Sequence, residues 1–193
     1  MKMLGNGLAA VEHDEDALCV REAELSMLQR LCAQESDILA AQANLANTYA
    51  ALGRFEQELR LRQDVYYGRV KLDGEENATT LRAANNYAAS LVDMKRLKEA
   101  KSLIRRTLPA VRRVFSDNDG TTLRMRKNYA RTLYEDTGAT LDDLREAVAS
   151  LEDVGRIARR VLGGAHPFTK RLAEFELRDA RAVLQAATLE QEK

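Results

Sequence analysis

Thr79-Thr80-Leu81-Arg82 and Asn86-Tyr87-Ala88 return as Thr121-Thr122-Leu123-Arg124 and Asn128-Tyr129-Ala130, and Asn44-Leu45-Ala46 stands in the same relation upstream. The spacings agree: 86 − 44 = 42, 128 − 86 = 42, and 121 − 79 = 42. Two separate segments sharing one period mark an internal repeat. A period of this size is that of a supersecondary unit that must stack on its neighbours to bury an apolar face.

Outward from that stretch, each unit reads as two helices. Leu81, Ala84, Tyr87 with Ala88, Leu91 and Met94 fall at helical spacing and form one apolar face. Lys95-Arg96 makes a polar turn, and Leu97, Ala100, Leu103 with Ile104, Leu108, Val111 and Phe115 form a second stripe. The first unit repeats the pattern through Leu45, Ala46, Tyr49 and Leu52, a turn at Gly53, then Phe55, Leu59, Val65 and Val70. Glycine supplies the positive φ that ends a helix. In the third unit Ala147 lies 47 residues after Ala100, so five residues enter the hairpin around Thr137 to Leu141. Asp142 and Asp143 then suit the start of the next helix.

The ends are partial units. Ala17 to Leu31 reads as a lone second-type helix with Leu18, Leu25, Leu28 and Leu31 on its apolar side. Thr169 to Gln185 reads as a lone first-type helix opened by His166-Pro167, where proline's missing N–H costs nothing. The expected fold is all-α, a right-handed superhelical solenoid of about three and a half helix hairpins. Repeats run over 37–78, 79–120 and 121–167, with partial helices at 14–33 and 168–188. They make a repeat domain over 14–188, between a disordered segment at 1–13 and a tail at 189–193. Tyr87 and Tyr129 are expected to be mostly buried within their repeats, and Pro109 to kink its helix.

Composition agrees with helix. The 193 residues are 45% hydrophobic and 31% charged, with only two prolines to break helices. Lys and Arg balance Asp and Glu at 30 each, which leaves no overall pull toward nucleic acid or membrane. No apolar run approaches the roughly 20 residues that span a bilayer, and the start makes a poor secretory signal. Cys19 and Cys32 read as buried or half-buried thiols within one helix of a reduced, cytoplasmic protein.

These residues resemble the tetratricopeptide repeat. Its key first-helix positions fall on Leu45, Ala46 and Tyr49, on Tyr87, Ala88 and Leu91, and on Tyr129, Ala130 and Leu133. The small residue of the second helix falls on Ala100 and Ala147, followed four on by Ile104 and Leu151. The long period, Asn44-Leu45-Ala46, Gly53-Arg54-Phe55-Glu56 and His166-Pro167-Phe168-Thr169 are similar to the kinesin light chain variety of that repeat, over about residues 37 to 185. Glu58 and Arg62 depart from the pattern, which wants small and apolar residues there, and Arg126 occupies a bulky apolar slot. No long heptad coiled coil accompanies the repeats, so the resemblance is to the repeat domain and not to a motor subunit as a whole.

The resemblance implies a concave face of first helices, with ligand-facing positions at the Asn of Asn-x-Ala, four before it and three after it. These are Ala40, Asn44 and Asn47; Arg82, Asn86 and Ala89; and Arg124, Asn128 and Arg131, with Lys127 beside them. Steps of three and four put each set on one stripe of its helix. Asn offers a donor and an acceptor to a peptide backbone, and Arg grips carboxylates with two parallel hydrogen bonds. The competing reading has these Asn bracing neighbouring repeats and the Arg merely solvated. Residues 80–135 carry 13 basic and 5 acidic side chains, against 3 basic and 8 acidic over 1–37. Arg105, Arg106, Arg112 and Arg113 read as a solvated outer face, with a phosphate or acidic-partner patch as the alternative.

The expected function is therefore a protein–protein interaction adaptor that binds an acidic segment of another protein in its groove. The alternatives are a structural or oligomerising repeat fragment of a larger kinesin light chain-like assembly, with self-association through its end helices, and RNA binding through the arginine faces. No catalytic residue, metal ligand set or cofactor motif is expected: His13 and His166 stand alone, and no phosphate loop or nucleophile elbow occurs.

Overall fold

A computed structural model describes residues 2–191, with side chains from residue 15 onward. In chain order the helices are α1 (Lys2–Arg30), α2 (Glu35–Ala51), α3 (Phe55–Asp73), α4 (Ala78–Asp93), α5 (Leu97–Phe115), α6 (Gly120–Tyr134), α7 (Leu141–Leu162), α8 (Pro167–Arg171) and α9 (Leu177–Gln191). A π-helical turn, Leu172–Glu176, joins the last two into one rod. The described residues contain no strand, and none of their helices is long and apolar enough to cross a membrane. α1 starts at Lys2 and α9 runs to Gln191, so the boundaries drawn at 13 and 189 fall inside helices; Met1, Glu192 and Lys193 lie outside the described residues.

The chain divides into two compact units, Met1–Ser90 and Leu91–Lys193. In the first, Leu39, Leu45, Leu59, Val65, Leu81 and Ala84 are buried. Tyr66 of α3 stacks on Tyr87 of α4 with ring centroids 5.9 Å apart. The second unit has a core of Leu123, Leu133, Leu144, Leu151, Val154 and Leu172. The alanines at the key positions, Ala46 and Ala88 in the first unit and Ala100, Ala130 and Ala147 in the second, are fully buried. A methyl group there lets one helix approach another closely, and anything larger would overpack the layer.

Backbone conformation carries the same period. Gly53 (φ +71°) and Lys95 (φ +59°) make the hairpin turns, and Gly74, Ser116 and Gly163 end α3, α5 and α7 with φ of +87°, +67° and +86°. The third hairpin differs. Residues 135–140 connect its helices where 52–54 and 94–96 suffice elsewhere. Thr140 then opens α7 with a capping box: its Oγ1 accepts from the Asp143 N–H at 3.1 Å, and Asp143 accepts from the Thr140 N–H at 3.2 Å. His166 caps α8 through Nδ1, with Pro167 in the first turn.

Two expectations need correction. Cys19 and Cys32 are both exposed, and Cys32 sits at φ +48° in the turn after α1, not within it. Leu31 also falls beyond the end of α1 and is 70% exposed, so α1 packs through Leu18 and, more weakly, Leu25 and Leu28. Tyr87, expected to be mostly buried, is 5% exposed, and Tyr129 is half-buried.

Candidate peptide-binding surface

In the first unit, Asn44 and Asn47 of α2 and Arg82 and Asn86 of α4 are all exposed, as residues meant to meet a ligand must be. Between their helices lies a cleft of about 180 Å³. α2 contributes Ala40 and Ala43, α4 contributes Arg82 and Asn86, and α3 supplies Arg62 and Arg69. No carboxylate lines it. Arg62 is 9% exposed and donates to Asn47 Oδ1 at 2.7 Å and to Glu58 Oε1 at 3.3 Å, while Ser90 Oγ donates to the same Glu58 oxygen at 2.8 Å. Arg69 donates to Asp73 and to the Ser36 carbonyl. The cleft thus has small apolar walls, a guanidinium at its rim and two more held in place from behind.

The stripe on α6 is placed differently. Arg124 is exposed, but Asn128 is 2% exposed and its Oδ1 has no hydrogen-bond partner among the described residues. Lys127 Nζ lies 3.5 Å from Glu176 of the π-turn. Burial pushes the Lys127 pKa below its ordinary value, and the Glu176 carboxylate opposes that only in part. Arg131 pairs with Asp93 at 2.7 Å and with Glu135 at 2.6 Å. Burial acts against its charge, and those two hydrogen bonds more than offset it, so its pKa is raised. Two of the four α6 candidates are therefore held in ion pairs within the second unit, and a third, Asn128, is buried there.

Sequence reading missed Arg69, and it noted Arg62 only as a departure from pattern. The signal was available: 69 − 62 = 7 places both on one face of α3, two turns apart. It also missed that the π-turn buries Glu176 beneath Lys127, since an inserted turn leaves no mark in a 3.6-residue periodicity. Among the described residues no group of His, Cys, Asp or Glu gathers in a way that would hold a metal ion.

Residues 80–119 match the family model of the tetratricopeptide repeat. No curated protein sequence matches the chain. A crystal structure of a Podosopora anserina protein, described as a kinesin light chain with nearly identical TPR-like repeats, superposes with a TM-score of 0.71 at 21% identity. The match covers 93% of this chain and 82% of that one. BtubC (BKLC) from P. vanneervenii superposes with a TM-score of 0.68 at 14% identity, over 93% of this chain and 74% of that one. Identities this low speak for fold and not for partner. The chain carries a match to the tetratricopeptide repeat at residues 80–119 and has the fold of kinesin light chain-like repeats.

Proposed function

We propose that this chain is an adaptor that holds an acidic peptide segment of a partner protein against α2 and α4. Tetratricopeptide repeats are interaction scaffolds in general, and the chain's fold is of that kind. One observation carries the finer reading: the first-unit cleft is lined by three arginines and no carboxylate, beside exposed Asn44 and Asn86. Asn amides satisfy an extended backbone, and Arg82 takes the acidic side chain. Exposed thiols at Cys19 and Cys32 support a reducing, cytoplasmic setting. The test is fluorescence anisotropy with a labelled hexaglutamate peptide at low and high salt. Arg82→Ala and Asn86→Ala should both weaken binding, and unchanged affinity in both variants would sink the reading.

Exposed Phe175, Val183 and Leu189 on the final rod favour a second reading, self-association through that surface. Light scattering that found only monomer at high micromolar concentration would remove it.

A further inference from the structure

We propose a second ligand site in the second unit, a cleft among α5, α6 and α7 that takes an acidic peptide segment of a partner independently of the α2–α4 cleft. The argument begins from the repeat. Tyr129 is the counterpart of Tyr87, since 87 + 42 = 129. Tyr87 is covered by Tyr66, whose own counterpart is Leu108, and Tyr67 corresponds to Pro109. Two tyrosines are thus replaced by two smaller side chains, and a cleft of about 600 Å³ opens at that place, with Leu108 and Pro109 as its apolar floor and Tyr129 in its wall.

The cleft's polar groups select the occupant. The Arg105 guanidinium lies over the Tyr129 ring, 5.9 Å from its centroid, and donates to the phenol oxygen at 3.3 and 3.4 Å. That partner is a neutral hydroxyl; Glu146 and Asp143 act on the Arg105 charge from farther off, and among the described residues no carboxylate stands in an ion pair with it. Arg112 pairs with Asp117 at 3.1 Å between two largely exposed side chains, a contact that a ligand carboxylate displaces at little cost. Arg126 is committed to Asp153 at 2.6 Å, and Glu146 is the one carboxylate in the lining. Pro109 has no N–H, so the Arg105 carbonyl loses its donor four residues on, even though α5 continues through the proline. The cleft therefore presents cations, a main-chain carbonyl that lacks its usual helical donor and an apolar floor, which together match a peptide with an acidic side chain and a backbone N–H. Nucleic acid fits less well: Tyr129 is the only aromatic ring in the lining, and Arg105 already covers it.

The experiment uses the full chain carrying Arg82→Ala, so that the first cleft is already weakened, titrated with labelled hexaglutamate. Arg105→Gln with Arg112→Gln should lower the remaining affinity about tenfold, while Arg113→Gln leaves it alone. Pro109→Ala restores the helical donor, so it should weaken binding while raising the melting temperature. Ala149→Glu adds a carboxylate at an exposed position of the cleft wall and should weaken binding without disturbing the core. Should the paired arginine variant melt early, Pro109→Ala and Ala149→Glu still decide the question. Unchanged hexaglutamate affinity in both would overturn the proposal. So would loss of binding to a short poly(U) RNA in those variants with hexaglutamate binding intact, which would assign the cleft to nucleic acid.

Discussion

Ser116 holds the backbone conformation of Gly74, 42 residues before it: φ +67° and ψ 166° against φ +87° and ψ 164°. Each ends a second-type helix, and each N–H bonds the carbonyl four residues back, Arg112 and Val70 respectively. This region of backbone space belongs to glycine, and a side chain there costs on the order of 1–3 kcal/mol. Ser116→Gly should therefore raise stability by about 1 kcal/mol once the greater freedom of glycine in the unfolded chain is subtracted. Gly74→Ala should lower stability by about 1–2 kcal/mol, since open space around Gly74 leaves backbone strain as the only cost. Urea midpoints of the two variants check both signs.

Glu58 and Arg62 occupy positions where small and apolar side chains suit the repeat, and they are 8% and 9% exposed. Arg62→Met would leave the Glu58 carboxylate buried with only Ser90 as a donor, a loss of about 3 kcal/mol. Glu58→Ala made together with Arg62→Leu removes both charges and should recover most of that loss. Denaturant unfolding of the single and double variants measures the difference. A double variant as unstable as the single would show that the ion pair itself organises the layer.

Asp143 is held below the ordinary carboxylate value of 3.8 by the Thr140 hydroxyl and amide and by Lys101 at 3.2 Å. A carboxylate with a depressed pKa stabilises the fold above its unfolded value, and that contribution is lost as pH falls through the folded value. Asp143→Asn should thus cost up to about 1 kcal/mol near neutrality, as the loss of a capping partner does. The gap between variant and wild type should close as pH drops below 3.8. Thermal unfolding across the acid range reads it out, and a gap independent of pH would mean the charge contributes nothing.

For hexaglutamate binding, Arg82→Ala should cost about 1–3 kcal/mol at low salt, and less as salt screens the contact. Asn86→Ala should weaken binding without altering the salt dependence, because it removes no charge. Arg131→Ala should act mainly on stability, since Arg131 already binds Asp93 and Glu135. Parallel anisotropy and unfolding measurements separate the two classes of effect.

The linear order of residues determined the repeat, its helix pairs and the buried alanines. Those features rest on local spacing: steps of three and four define a face, and a shared period of 42 aligns the units. The left-handed turn at Gly53 was legible for the same reason, because glycine marks a local backbone need. Which polar residues remain open to a ligand was not legible, since Asn86 and Asn128 both stand in an Asn-Tyr-Ala segment four residues after the Arg of Thr-Thr-Leu-Arg. Only tertiary packing separates them. In the second unit the π-turn before α9 brings Glu176 to Lys127, and Asn128 is buried, whereas Asn86 is left exposed on α4. Exposure is decided by what packs across a stripe in three dimensions, and the stripe's own sequence does not carry that.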